Sequence, residues 1–160
     1  MSEVTEQSYS FAESVGADDP LRIPPHSLQA EQSVLGGLML DNSTYDQIAD
    51  RLQAEDFYSR SNRQLFAALV TLADQQVPFD VITVSEELER QGVLEDVGGL
   101  AYIASVANDT PSAANIRAYA DIVREHSVKR QLIQVGTSIA DSAFNTEGRN
   151  LDELVDAAEQ

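Results

Sequence analysis

The sequence predicts an all-α protein, in which a globular multi-helix head is followed by a long helical hairpin. From about residue 28 onwards, apolar residues recur at steps of three and four, the spacing of one helix face. Capping residues and helix-ending glycines or prolines divide this pattern into short helices as far as Pro111. From Ala113 to about Phe144 there is no proline and only one glycine, Gly136, which predicts one long helical segment.

The composition excludes several classes of function. The chain has 160 residues, of which 42% are hydrophobic, enough for one domain with a real core. It has no cysteine, which excludes a disulfide scaffold and a cysteine-ligated metal site. Its one lysine, Lys129, follows Ser127 and Val128, so the glycine-rich phosphate loop of ATPases is absent from this sequence.

The charge balance disfavours direct binding to nucleic acid. The sequence has 27 acidic residues against ten basic ones, which gives a formal net charge of −17. Proteins that grip phosphates cluster Lys and Arg on one surface, whereas the arginines here are scattered among acids. The sequence contains no run of about 18 apolar residues, the length that a membrane span needs. Its acidic, polar start is unlike a signal peptide. We therefore expect a cytoplasmic protein that does not bind membranes.

Residues 1–24 are predicted to form a flexible acidic tail. Apolar residues are sparse and without period in this stretch, which ends at Pro24 and Pro25. Its charged residues are five acids and one base: Glu3, Glu6, Glu13, Asp18, Asp19 and Arg22.

Two helices are predicted directly after the prolines. The first spans about 28–40, begins after a cap at His26 or Ser27, and has the apolar face Leu28, Val34, Leu35, Leu38 and Met39. The second begins near Ser43, with Asp46 three residues later as a capping-box-like partner. Its apolar face is Tyr45, Ile48, Ala49 and Leu52.

A third helix is predicted to begin at Ser61, where Gln64 would complete an S-x-x-Q capping box. Its apolar residues are Leu65, Phe66, Leu69, Val70 and Leu72. Pro78 then breaks the chain.

The fourth and fifth helices are predicted over about 81–91 and 98–108. Asp80 caps the fourth, and Gly92 ends it as a C′ glycine. The β-branched start at 81–84 makes a strand the alternative, but the charged residues that follow continue the pattern without a turn signal. The fifth helix opens with Gly98 and Gly99, after Asp96, and its apolar residues are Leu100, Ile103 and Ala107.

The long segment has two apolar faces that are out of phase across residues 125–130. The first half has Ile116, Tyr119, Ala120 and Val123, and the second has Val128, Leu132, Val135, Ile139 and Ala143. Either the helix turns a new face toward a new partner, or it breaks at this point. The sequence leaves both possibilities open.

The chain closes with a predicted turn over 145–150 and a last helix capped by Asn150 with Glu153. A helix of about ten residues is marginal alone, so we expect it to pack back on the long segment as a hairpin. It has no stop signal before Gln160, which suggests a fragment of a longer protein. The predicted divisions are a tail over 1–24, a head over 25–112 and the hairpin over 113–160.

No arrangement of side chains in the sequence indicates catalysis or metal binding. Neither His26 nor His126 has the carboxylate and histidine spacing of a metal site, and no G-x-S-x-G nucleophile elbow occurs. Asp121 and Glu125 share a helix face, as solvated surface pairs usually do. No catalytic, cofactor-binding or metal-binding residue is therefore assigned.

Two further patterns have a structural interpretation. The acidic residues Glu86, Glu87 and Glu89 are interpreted as the charged outer face of a helix that buries Leu88. The pair Gly36-Gly37 costs about 1 kcal/mol per residue inside a helix, which predicts close packing against another helix.

The hairpin is the predicted interaction surface, because two helices cannot bury apolar residues on several faces between themselves. Some of its residues hold the two helices together and others pair with a partner, and the sequence does not divide the two roles. The candidate interface residues are Leu132, Val135, Ile139, Ala143, Phe144, Leu151, Leu154 and Val155.

Several ordered blocks resemble the amino-terminal domain of the bacterial replicative DNA helicase, the DnaB family. The blocks are PPHSLQAEQSVLGGLMLDN (24–42), DFY (56–58), RQLF (63–66), DVITV (80–84), LERQG (88–92), VGGLAY (97–102), NDTPSAANI (108–116) and YADIVR (119–124). The resemblance extends from about residue 22 to the end and excludes the acidic tail.

This resemblance implies an all-α domain whose hairpins pair between subunits and form a collar, a trimer of dimers, on a hexameric ring. It implies primase as a partner of the collar, with a helicase loader as a further candidate. In this family the ATPase motor, with ATP and Mg²⁺, lies in a carboxy-terminal domain. No cofactor is therefore expected in this chain, and no nucleotide-binding residue is carried onto it.

Three other functions stay open at this point. The chain could be an acid-rich hydrolase, which would need a pocket with convergent carboxylates. It could be a direct DNA-binding module, which the charge balance disfavours. It could also be a free-standing protein that caps or inhibits a helicase ring, which the unterminated last helix disfavours.

Overall fold

The computed structural model describes residues 22–145 and 151–159. Within these ranges all regular elements are α or 3₁₀ helices, and no strand occurs. The described elements, in chain order, are α1 (Leu28–Leu40), α2 (Tyr45–Ile48), α3 (Arg60–Asp74), α4 (Val81–Arg90), α5 (Leu94–Val97), α6 (Gly99–Asp109), α7 (Ile116–Phe144) and α8 (Leu151–Glu159), with 3₁₀ turns at Asn42–Thr44 and Ala54–Asp56. The predicted all-α class is confirmed. Most of the predicted tail, and the Asn150 cap in the predicted turn, lie outside the described residues.

Helix α1 is the central element of the head and has the predicted bounds. The Ser27 hydroxyl accepts a hydrogen bond from the Ala30 amide at 3.1 Å and caps the helix. Val34, Leu35 and Leu38 are fully buried where α1 contacts α3, α6 and α7. Leu28, at the start of the predicted face, stays 44% exposed.

The glycine pair in α1 allows the close approach that the sequence predicted. A Cβ atom on Gly36 would lie 1.9 Å from the Thr110 hydroxyl oxygen and 2.6 Å from the Val106 carbonyl oxygen. A Cβ atom on Gly37 would meet the Ile116 side chain at 3.2 Å. The two glycines thus bring α1 against the end of α6 and the start of α7.

The caps of the next two helices differ from the prediction. Asp41 precedes the first 3₁₀ turn, and its carboxylate accepts from the amide of Ser43 at 3.1 Å. The predicted Ser43–Asp46 pair is therefore not the cap, and the α-helical part is only Tyr45–Ile48. Helix α3 begins two residues early, after Ser59, whose hydroxyl accepts from the Asn62 amide at 3.4 Å.

A distant carboxylate explains the early start of α3. Glu31 accepts hydrogen bonds from the amides of Tyr58 and Ser59 at 2.8 and 3.3 Å. These bonds fix the loop before the helix, where Ser59 has the extended backbone of an N-cap. Because Ser59 takes this position, the S-x-x-Q box at Ser61 and Gln64 is not formed.

Helix α4 is confirmed, and the strand alternative was wrong. The Asp80 carboxylate accepts from the amides of Ile82 and Thr83, both at 2.9 Å, while the Asp80 amide donates to the Thr83 hydroxyl at 2.9 Å. This reciprocal capping box starts a helix in spite of the β-branched residues. Gly92 follows the helix with φ +76°, as a C′ glycine does.

Glu87 corrects the interpretation of the acidic run on α4. Glu86 and Glu89 are exposed, but Glu87 lies on the inner side of the helix and is only 5% exposed. It forms an ion pair with Arg90 and accepts from the Gln91 side chain at 2.8 Å. A buried carboxylate needs such partners, because burial alone penalises its charge.

The predicted fifth helix is confirmed as α6 to within one residue, and a short helix that the sequence analysis did not predict precedes it. A short helix, α5, ends at Val97, and α6 starts at Gly99 after Gly98, whose φ is +123°. This φ is open to glycine and costly for other residues, so the glycine pair turns the chain between the two helices.

Helix α7 is continuous from Ile116 to Phe144, so the predicted alternative of a break near 125–130 was wrong. Its first half packs on the head through Ile116, Ala120, Val123 and Ser127, all of them buried. Residues 131–141 are all exposed, which shows that the helix projects past the head. None of the described helices is long and apolar enough to cross a membrane.

Candidate functional site

The distal half of α7 exposes apolar side chains along its length. Leu132 is 66% exposed, and the exposed fractions of Ile133, Val135 and Ile139 lie between 44% and 54%. A soluble monomer rarely shows so much contiguous apolar surface unless the surface binds something.

Helix α8 contacts this distal half and forms an open groove with it. The groove has a volume of about 500 Å³. It brings together five of the eight predicted interface residues: Val135, Ile139, Ala143, Leu151 and Val155. These five residues therefore lie along the groove between the two helices, and Leu151 is still 74% exposed there.

The other predicted residues are placed differently. Leu132 and Phe144 do not line the groove, and Phe144 is 91% exposed at the end of α7. The side chain of Leu154 lies outside the described part of the structure. Ile133, which the sequence analysis did not select, is also exposed, and its spacing to Ala140 and Phe144 marks a second apolar face of α7. We call Leu132, Ile133 and Phe144 the outer apolar residues.

The hairpin is acidic as well as apolar. Its described residues beyond Arg130 include five carboxylates and no Lys or Arg: Asp141, Asp152, Glu153, Asp156 and Glu159. A surface with this charge repels phosphates, so the described hairpin does not have the electrostatics of a nucleic-acid groove.

A polar cluster at the base of the hairpin fastens α7 to the head. The buried Asp56 carboxylate accepts from the Arg124 guanidinium at 2.8 Å and from the Ser127 hydroxyl at 2.7 Å. One turn further on, Arg130 donates to the main-chain carbonyl oxygens of Pro25 at 2.8 Å and Asp56 at 2.6 Å. Charge-assisted bonds of this kind are stronger than neutral ones and fix the geometry of both partners.

A second buried carboxylate, Glu31, supports the loop that contacts Arg130. Besides the two loop amides, Glu31 accepts from the Asn62 side chain at 3.0 Å. Asn62 in turn accepts from the Tyr102 hydroxyl at 2.6 Å, which connects α1, α3 and α6. These bonds satisfy the buried charge and hold the loop around Tyr58 in place.

The two histidines have separate structural surroundings. The His26 ring is stacked on Tyr58 with centroids 4.1 Å apart, and its Nδ1 lies 2.7 Å from the Pro24 carbonyl oxygen. The Nδ1 of His126 is buried, with no hydrogen-bond partner among the described residues. Within the same residues, no group of three metal-ligating side chains comes together.

The acidic pair on α7 forms surface ion pairs. Asp121 lies 3.1 Å from Arg51, and Glu125 lies 3.3 Å from Lys129, with side chains that are largely exposed. Such exposed pairs contribute little to stability. The solvated-surface interpretation of Asp121 and Glu125 agrees with this geometry.

Comparison with known proteins identifies a family. The model of the DnaB-like helicase N-terminal domain matches residues 23–125. The replicative DNA helicase DnaB of Haemophilus influenzae is 47% identical over 138 residues, which are 86% of this chain and 30% of that protein. The replicative DNA helicase DnaC of Bacillus subtilis is 39% identical over 139 residues, 87% of this chain and 30% of that protein. The chain thus spans about 30% of the length of these relatives.

Solved structures show the same fold. The crystal structure of the N-terminal domain of DnaB helicase from Mycobacterium tuberculosis has a TM-score of 0.82 and 36% identity, and the match covers 86% of this chain and 96% of that one. The N-terminal domain of DnaB helicase from Helicobacter pylori has a TM-score of 0.63 and 23% identity, with 72% of this chain and 89% of that one covered. From the matched family model and from these likenesses, we conclude that the chain belongs to the family of DnaB-like helicase N-terminal domains.

Proposed function

We propose that this chain is the assembly and docking domain of a bacterial replicative DNA helicase. In this proposal the hairpins of two copies pair, and the pairs form the collar, a trimer of dimers, of a hexameric ring. The observation that carries the proposal is the exposed apolar surface of the hairpin, above all the outer apolar residues.

The energetics of pairing favour this use of the surface. Full burial of a Leu, Ile or Phe side chain stabilises by about 1.5–3 kcal/mol. Burying the three outer residues of both copies therefore gives on the order of 10 kcal/mol before the cost of association, which is about 4–15 kcal/mol. The groove residues add to this, because Leu151 and Val155 keep much of their surface after α8 has packed on α7.

Primase is the proposed partner of the assembled collar, with a helicase loader as a further candidate. The Helicobacter pylori domain, and a DnaB-like replicative helicase with a TM-score of 0.64 and 22% identity, were each described together with their interactions with primase. Those two proteins share the fold of this chain, and this likeness is what supports primase as the partner in our proposal.

We assign the ATPase motor to the part of the helicase that this chain does not span. The chain corresponds to about 30% of its relatives, and its one lysine, Lys129, is on α7 and has no glycine-rich loop before it. In this proposal ATP and Mg²⁺ bind to the motor, the chain itself is not an enzyme, and it works in the bacterial cytoplasm without binding DNA directly.

Sedimentation of an outer-face variant tests the proposed pairing. Leu132→Glu combined with Phe144→Glu places charge on the outer apolar residues, so we expect at least tenfold weaker self-association with unchanged helical circular dichroism. Leu100→Glu is the matched control, because Leu100 is 54% exposed on the head, and we expect it to associate like the native chain. Native-like association of a folded double variant would overturn the proposal.

Four binding and activity measurements test the remaining parts of the proposal and separate it from the other functions. Isothermal titration with the cognate primase should give saturable binding to the native chain. ATP hydrolysis and nuclease activity at the level of buffer alone would argue against a hydrolase. A salt-dependent shift of single-stranded DNA by this chain would contradict the proposal and favour a DNA-binding module.

A further inference from the structure

Three chain segments meet one side chain at the point where the hairpin leaves the head. They are residues 22–27, the loop 56–59 and helix α7, and the side chain is that of Arg130 on α7. We infer that Arg130 is a positioning residue that fixes the direction in which the hairpin points from the head.

The geometry of the guanidinium supports this role. Its Nη1 donates to the Pro25 carbonyl oxygen at 2.8 Å, and its Nη2 donates to the Asp56 carbonyl oxygen at 2.6 Å. The same group lies 5.5 Å from the centre of the Tyr58 ring. A planar fork that bonds two segments at once and contacts a ring restricts rotation of the helix as well as its tilt.

The partners of Arg130 are themselves held. The Tyr58 ring stacks on the His26 ring with centroids 4.1 Å apart, and the backbone amide of Tyr58 donates to the Glu31 carboxylate at 2.8 Å. The two prolines before His26 restrict the backbone of residues 22–27, since their rings fix φ. Arg130 therefore fastens α7 to a rigid surface and not to a loose loop.

No hydrogen bond to the head occurs beyond this point in the described part of α7. Residues 131–141 are all exposed, and Ile133 lines an open depression together with residues 22–25. Arg124 and Ser127 bond to Asp56 closer to the head. Arg130 is thus the outermost of the polar contacts that hold this helix.

Because Arg130 lies where the hairpin leaves the head, a small change in the angle of α7 at this residue becomes a large displacement at the far end of the helix. From Arg130 to Phe144 the helix rises about 21 Å, at about 1.5 Å per residue. A tilt of roughly 10° at Arg130 therefore moves Phe144 by roughly 4 Å, close to the width of a side chain. If hairpins pair as proposed above, such a shift takes the outer apolar residues out of register. The inference about the direction of the hairpin concerns a single chain and does not depend on pairing.

Distance distributions between spin labels test the inference. The chain has no native cysteine, so Glu89→Cys on the head and Asn145→Cys at the end of α7 provide unique label sites on exposed residues. Labelled chain is diluted with excess unlabelled chain, so that pulsed electron resonance measures distances within one molecule. We expect Arg130→Gln to at least double the width of the distribution, and Arg130→Lys to give an intermediate width, because an ammonium lacks the planar fork.

A matched variant and a fold readout decide the outcome. Arg117→Gln removes an exposed arginine from the same helix, and we expect the native width. Circular dichroism and thermal unfolding report whether the head stays folded; if Arg130→Gln unfolds, the width of Arg130→Lys decides. A native width in the folded variants, or equal broadening by Arg117→Gln, would overturn the inference, whereas loss of self-association alone tests the pairing proposal.

Discussion

Buried carboxylates connect the helices of the head at the residue scale. Glu31 and Asp56 are 1% and 3% exposed, and each accepts hydrogen bonds from at least two other segments or side chains. Breaking such a pair by removing one partner leaves an uncompensated charge, which is far more costly than an ordinary substitution. The loop 56–59, which contains Asp56 and donates two amides to Glu31, is consequently held by several bonds to other parts of the fold.

Two glycines on different helices should respond in opposite ways to alanine. At Gly36 the added Cβ would lie 1.9 Å from the Thr110 hydroxyl oxygen, so we expect Gly36→Ala to destabilise the head by about 3 kcal/mol. At Gly136 the added Cβ meets nothing within 4 Å, so we expect Gly136→Ala to stabilise α7 by up to about 1 kcal/mol. Urea unfolding of both variants measures the difference. A Gly36→Ala chain as stable as the native one would disprove the close approach.

At the scale of elements, the hairpin is held by few contacts. Helix α8 is nine residues long, which is too short for independent stability, and it rests on the distal half of α7. Its residues Leu151, Val155, Ala157 and Ala158 line the groove, and all of its residues with described burial remain exposed.

Ile139 should control this attachment. Ile139→Glu places a carboxylate in the groove opposite α8, so we expect α8 to lose its protection from amide hydrogen exchange while the head keeps its own. We also expect weaker self-association, because the pairing surface needs both helices. Thr137→Glu is the control, since Thr137 is exposed on α7 and does not line the groove. Equal protection of α8 in the Ile139 and Thr137 variants would contradict the assignment.

Local signals predicted the helices well where the cap and its partner are neighbours in sequence. Asp80 with Thr83 and Ser27 with Ala30 are of this kind, and the bounds of α1 and α4 came out close to the prediction. The start of α3 did not, because Glu31 fixes it from 28 residues away. The burial of Glu87 was also missed, since apolar spacing carries no information about which charge will find a partner.

The hairpin surface could be predicted only as a set. Periodicity identified the apolar residues of α7 and α8, but their division into a groove and an outer face depends on where α8 packs. Leu132 and Val135 share one stripe in the sequence, and the position of α8 separates them. The sequence analysis left Ile133 out of the candidate residues because it lies off that stripe, although its helical spacing to Phe144 can be read from the sequence.

At the scale of the whole molecule, a net charge of −17 opposes the meeting of two copies. The described residues of the hairpin beyond Arg130 include five carboxylates and no basic side chain, so pairing brings like charges together. Apolar contacts must therefore supply the attraction.

Salt should strengthen self-association for this reason. Raising the sodium chloride concentration from 50 to 500 mM shortens the screening length to well under 10 Å, and we expect the dimer dissociation constant to fall several-fold. Sedimentation equilibrium at a series of salt concentrations measures the trend, with sucrose at matched density as the control. A dissociation constant that rises with salt would show that ion pairs hold the copies together.

Arg130 bonds to main-chain oxygens, so these two bonds do not require particular side chains at positions 25 and 56, whereas Arg124 and Ser127 do require the Asp56 carboxylate. Either of those side chains can change without removing an acceptor of Arg130, provided that the backbone keeps its path. For engineering, this means that a hairpin transferred to a different head would need two carbonyl oxygens placed for its arginine, in addition to a carboxylate for Arg124 and Ser127 and an apolar surface for the first half of α7. Part of the information that orients the hairpin therefore lies in the course of the backbone, where a comparison of side chains alone would not find it.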